Sequence, residues 1–164
     1  MEEDEIKMKY ERMKSYFITE QAIQKLAANG IWRELINALS ESDYNFLGQN
    51  VIKFCPLYSP ASHAKINHQI PAHSHLVIFD VNALCKRPPR QAVAILLHEL
   101  GHIAHPSEGE FGADRFASER GFALDLISDL EEQIRENPKE FNVPLNLKRV
   151  EALKKIGDAD PSNP

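Results

Sequence analysis

Five residues, His98-Glu99-Leu100-Gly101-His102, read H-E-x-x-H. On a helix, residues four apart stand one above the other on a single face. His98 and His102 can therefore offer two imidazoles to one metal ion. Glu99 lies about a quarter-turn round the same helix, where a carboxylate can work on water activated by that metal. Two nitrogen donors beside an acid are the arrangement of a zinc hydrolase. His98 and His102 are thus candidate metal ligands, and Glu99 is the candidate catalytic base.

A catalytic zinc takes three protein ligands and keeps one position open. His105, Glu108, Glu110 and Asp114 all follow closely enough to be considered. In the pattern H-E-x-x-H-x-x-G-x-x-H, the glycine turns the chain back so that the last residue reaches the metal. Here His105 holds the glycine position and Glu108 the final ligand position, so that pattern fails twice. His105 would also stack along one helix with His98 and His102 instead of surrounding an ion. Glu110 is the better choice, because it opens a second helix whose first turn can lie across the motif helix. Asp114, one turn further on, faces the same way as Glu110. It suits a carboxylate that holds the outer ring nitrogen of a ligating histidine. The competing reading is two solvated acids favouring a helix N-terminus.

The elements that must position these groups are legible in outline. Ala92-Val93-Ala94-Ile95-Leu96-Leu97 makes the motif helix apolar and predicts burial, with a start at Pro88-Pro89 and an end near His105, before Pro106. A second long helix is expected from Glu110 to about Asn137, weakened at Gly121 and ended near Pro138. A last helix is expected over Pro144 to Ile156, with Val150, Leu153 and Ile156 on one side. Residues 157–164 read as a flexible tail. Upstream, residues 1–45 read as helical, with a break at Asn29-Gly30 and Trp32 as a core anchor. Val51 to Tyr58 and His75 to Asn82 read as strands, the first limited by Pro56. The expected class is α+β, a single domain over residues 1–164. In it a small β-sheet lies beside the motif helix, and its edge could pair with an extended peptide.

Composition narrows the function classes. The net charge of −5 argues against a nucleic-acid binder and gives no reason to sit on an anionic membrane. The longest apolar run, Ala92 to Leu97, is too short to span a bilayer, and the acidic start Met1-Glu2-Glu3-Asp4-Glu5 does not resemble a signal peptide. Two cysteines, Cys55 and Cys85, make no disulfide framework. The cytoplasm is the expected compartment. His63, His68, His73 and His75 are irregularly spaced and read as solvated histidines more readily than as a second metal site.

One resemblance goes further than these residues do alone. His98-Glu99-Leu100-Gly101-His102 followed by Glu110-Phe111-Gly112-Ala113-Asp114-Arg115-Phe116-Ala117 resembles the H-E-L-G-H … E-F-x-A-D-x-F-A pattern of gluzincins. The nearest groups are the CAAX prenyl endopeptidases with the heat-shock membrane proteases, and their small soluble relatives, the minigluzincins. Pro144 with Arg149-Val150-Glu151-Ala152-Leu153 is similar to that group's H-P-x-x-x-x-R-I-x-x-L segment. The resemblance covers roughly residues 76–155. It implies a zincin-like domain, zinc on His98, His102 and Glu110, Asp114 as a supporting residue, and hydrolysis of peptide bonds in a peptide or protein substrate. Val143 stands where the group has a helper histidine, and the gap from His102 to Glu110 is short, as in the minigluzincins. Tyr58, His63, His68, His73 and Arg149 are candidates for stabilising an oxyanion. Two other outcomes are open at this level. One is a zinc-binding regulatory or interaction module with little or no peptidase activity. The other is a latent proenzyme, blocked by the tail Gly157-Asp158-Ala159-Asp160-Pro161 or by a thiolate of Cys55 or Cys85.

Overall fold

Residues 2–58, 74–140 and 142–159 are described in the computed structural model of the chain, the side chains of 2–4 and 157–159 excepted. Helices predominate, with a small two-stranded parallel sheet, so the α+β class holds. The chain divides into two compact units, Met1–Ala92 and Val93–Pro164.

The first unit holds α1 (Glu2–Lys14), α2 (Glu20–Ala28), α3 (Ile31–Ala38), α4 (Glu41–Gln49), β1 (Ile52–Leu57), β2 (His75–Asp80) and α5 (Val81–Leu84). Gly30, at φ 74°, separates α2 from α3 in the left-handed conformation that glycine adopts without a Cβ clash. Helix α4 carries the helical part four residues past the expected limit at 45, and its start is written in Ser40-Glu41-Ser42-Asp43. The Ser40 hydroxyl accepts from the Asp43 amide at 3.3 Å, and the Ser40 amide donates to Asp43 Oδ2 at 2.8 Å, a reciprocal capping box. The strands pair in parallel from Ile52↔His75 to Leu57↔Asp80. The second strand is shorter than the expected His75 to Asn82. Asp80 caps α5 by accepting from the Ala83 amide at 3.0 Å, which turns the chain out of the sheet.

An aromatic cluster fills this unit. Phe17 stacks on Phe54 with centroids 4.8 Å apart and meets Trp32 edge-on at 5.0 Å. Phe79 closes on the same ring at 6.2 Å. Trp32 is buried as a core anchor, as its setting predicted. His63, His68 and His73 lie outside the described residues.

Helix α6 (Pro89–Ala104) begins at the end of the first unit and carries the H-E-x-x-H residues in the second. Its start at Pro89 and its stop before His105 agree with the expected limits. Next come α7 (Gly109–Ser118), α8 (Ala123–Glu136) and α9 (Val143–Ala159). The single helix expected from Glu110 to Asn137 is therefore two. Gly121, at φ 81°, takes the left-handed position of a Schellman turn. Its amide donates to Ser118 O at 2.9 Å, and the Phe122 amide donates to Ala117 O at 3.2 Å. Phe122 is buried beneath the turn, so the break is held by packing as well as by backbone bonds.

Helix α9 packs on α8 and α7, with Val150 and Leu153 buried. It runs on to Ala159, so the tail expected from Gly157 is helical for its first three residues. A lone glycine costs a helix about 1 kcal/mol relative to alanine, which does not stop one already docked. Residues 160–164 lie outside the described residues. Among those described, no helix is long and apolar enough to cross a membrane.

Candidate metal centre

Two glycines set the geometry of the site. A Cβ built on Gly101 would stand 2.5 Å from Ala113 Cα, 2.7 Å from Ala113 O and 2.9 Å from Phe116 Cβ. The backbone of α7 therefore lies directly on α6 at the fourth residue of the motif. In the first turn of α7, a Cβ on Gly112 would stand 2.6 Å from Glu108 Cβ and 2.9 Å from His105 Cβ, on the reversal that leads into the helix. Gly109 opens α7 at φ 57°. The small residues at 101 and 112 let the first turn of α7 close down on the histidine-bearing face of α6.

That closure brings Glu110 to the histidines. Its Oε2 lies 3.3 Å from His98 Nε2, and its Oε1 lies 3.4 Å from His102 Nε2. The two imidazoles stand nearly perpendicular, with centroids 4.8 Å apart. One ligand atom from each of His98, His102 and Glu110 falls within 4.8 Å of the others. His98 is buried, whereas His102 and Glu110 are partly open.

Asp114 is buried one helical turn behind Glu110. Its Oδ1 accepts from His98 Nδ1 at 2.9 Å. Arg149, reaching in from α9, donates to the same carboxylate through Nε at 2.8 Å and Nη2 at 2.7 Å. Arg149 donates to both Asp114 oxygens, and an ionised carboxylate can only accept, so the proton between His98 and Asp114 belongs on Nδ1, and Nε2 is the ring nitrogen that faces Glu110. Burial by itself pushes the Asp114 carboxyl up, but hydrogen bonds from Arg149 and His98 outweigh it and hold the carboxyl below the ordinary range. For Arg149, burial works against the charge while Asp114 and Glu110 favour it, and the balance raises its pKa.

This donor set fits a metal cation. A histidine nitrogen and a carboxylate oxygen 3.3 Å apart attract only with a proton or a metal cation between them. Counted with neutral histidines, Glu110 and Asp114 exceed the charge of Arg149 by one. Two imidazoles and one carboxylate match the ligand chemistry of zinc.

The other candidates are placed elsewhere. His105 Nδ1 lies 3.3 Å from Arg115 Nη2 and 3.5 Å from Glu108 Oε1. Glu108 pairs with Arg115 at 2.6 Å. These three form an ion-pair cluster on the reversal, and neither His105 nor Glu108 joins the donor group. Glu99 is half-buried on α6 beside His98 and is not among the three converging donors. Tyr58 belongs to the first unit.

Arg149 was considered above for an oxyanion. In the structure it is tied to Asp114, with Nη1 also 3.0 Å from Glu110 Oε2. A signal for this role exists in the sequence. Asn146 and Arg149 fall on the same helical face as Val150 and Leu153, and all four are buried. A polar pair on an apolar stripe calls for a buried partner.

Comparisons with protein-family models, with curated proteins and with solved structures find no match. The likeness to gluzincins thus rests on the motif residues alone.

Proposed function

We propose that the chain is a zinc-dependent endopeptidase of gluzincin type with a zincin-like arrangement, acting on a peptide or protein substrate in the cytoplasm. The observation that carries this reading is the convergence of His98, His102 and Glu110 within 4.8 Å. His98, His102 and Glu110 hold the ion. Zinc bound there supplies Lewis acidity, which acidifies water and polarises a carbonyl. Glu99 takes the proton from the attacking water and hands it to the leaving amine. Asp114 keeps the His98 ring in the tautomer that leaves Nε2 free to donate.

The test begins with zinc content. About one zinc per chain is expected in the wild type, lost or weakened in His98→Ala and in Glu110→Ala. Cleavage of a mixed peptide library should then disappear in Glu99→Gln while zinc is kept. A wild type that refuses supplied zinc would sink the proposal. A second reading is a zinc-holding interaction module without turnover. It is favoured by Val143, where the resemblance expects a histidine, and by the commitment of Arg149 to ion pairs. Zinc retained with no cleavage of any library peptide would select it.

A further inference from the structure

We infer that Arg149 is a positioning residue of the metal centre, and that it couples zinc binding to the docking of α9. The inference rests on the metal-binding reading of His98, His102 and Glu110. Those donors sit on α6 and α7, whereas α9 supplies none of them. Arg149 comes from α9, is only 9% exposed, and ends on Asp114 behind the donors and on the donor Glu110.

A guanidinium fork meets a carboxylate in one plane through two parallel bonds, so it fixes orientation as well as position. Here the fork takes both oxygens of Asp114, and Asp114 Oδ1 in turn holds His98 Nδ1 at 2.9 Å. The remaining nitrogen, Nη1, is 3.0 Å from Glu110 Oε2, which leaves Oε1 turned toward His102. Two of the three donors thus take their orientation from one side chain on a helix that supplies no ligand. By linkage, whatever holds α9 in place favours zinc, and zinc favours α9 in place.

Electrostatics alone predicts the opposite sign. A cation beside a metal site repels the metal, so a purely electrostatic role means that removing Arg149 tightens zinc. A positioning role means that removing it weakens zinc.

The experiment measures the zinc dissociation constant of the full chain by competition with a chromophoric chelator. Arg149→Met, of similar length and uncharged, is expected to bind zinc about 10- to 100-fold more weakly than wild type. Arg149→Lys restores the charge without the fork and should recover only part of that loss. Unchanged or tighter zinc in Arg149→Met overturns the inference, and so does full recovery in Arg149→Lys. Should Arg149→Met fail to fold, amide exchange on the wild type decides. Zinc is expected to slow exchange in α9 around Arg149 as well as in α6 and α7. Protection confined to α6 and α7 overturns the coupling. A wild type that takes no zinc removes this inference together with the proposed function. One that takes zinc without involving Arg149 removes this inference alone.

Discussion

Gly101→Ala sets two effects of known size against each other. In a helix interior, alanine is favoured over glycine by about 0.5–1 kcal/mol because it loses less backbone entropy. At this position the new methyl would stand 2.5 Å from Ala113 Cα and 2.7 Å from Ala113 O. Ordinary carbon contacts lie near 3.5–4.0 Å, so α7 must withdraw by about 1 Å. The obstruction is backbone and cannot swing aside. Overpacking of that kind costs about 1–3 kcal/mol, and the net expectation is a loss of about 1–2 kcal/mol. Because Glu110 rides on the same helix, its carboxylate is carried off its histidines. Functional side chains tolerate about 0.5 Å of such error, so zinc should weaken on the order of tenfold or more. Gly48→Ala is the control. That residue is also helical, and a Cβ there meets only the Tyr16 hydroxyl, at 3.5 Å. It should gain a few tenths to about 1 kcal/mol. Urea denaturation of the zinc-free proteins and a chelator competition read both quantities. If Gly101→Ala is as stable as wild type and binds zinc equally well, the close crossing of α6 and α7 is not what places Glu110.

Three further expectations address other parts of the chain. Asp114→Ala leaves Arg149 buried without its principal partner and should cost about 3–5 kcal/mol in urea melts without zinc. Adding Arg149→Met should recover part of that loss, and simple additivity of the two changes would argue against the pair. Burial pushes the Tyr44 hydroxyl up to about 12 from 10.0, and no hydrogen-bond partner is present for it among the described residues. Above pH 10 the unfolded chain gives up this proton while the folded chain keeps it, so stability falls as pH rises toward 12, by about 1–3 kcal/mol. Tyr44→Phe should remove that part of the alkaline loss and cost nothing at pH 7. An unchanged alkaline slope would count against the burial argument. His105→Ala and Glu108→Ala should each keep the full zinc content by elemental analysis, because both side chains are engaged with Arg115 away from the donors. Loss of zinc in either would displace Glu110 as the third donor.

What the sequence determined by itself was local and periodic. The spacing of His98 and His102 on an apolar helix required two imidazoles on one face, because the helix repeat leaves no other arrangement. Pro89 and Pro106 bounded that helix through a missing amide and a steric clash. Glu110 and Asp114, four apart, had to share a face wherever α7 lay. Tertiary structure decided what depends on how elements meet. That α7 lies close enough for Glu110 to reach both histidines follows from backbone contact at Gly101, which no periodicity encodes. That Arg149 serves Asp114 and Glu110 depends on α9 returning to α7, across residues far apart in the chain. The break at Gly121 was open to either outcome, since an isolated glycine weakens a helix by only about 1 kcal/mol. Burial of Phe122 tips that small balance toward two helices. Short-range geometry wrote the histidine pair into the chain, and long-range packing brought the Glu110 carboxylate and Arg149 to it.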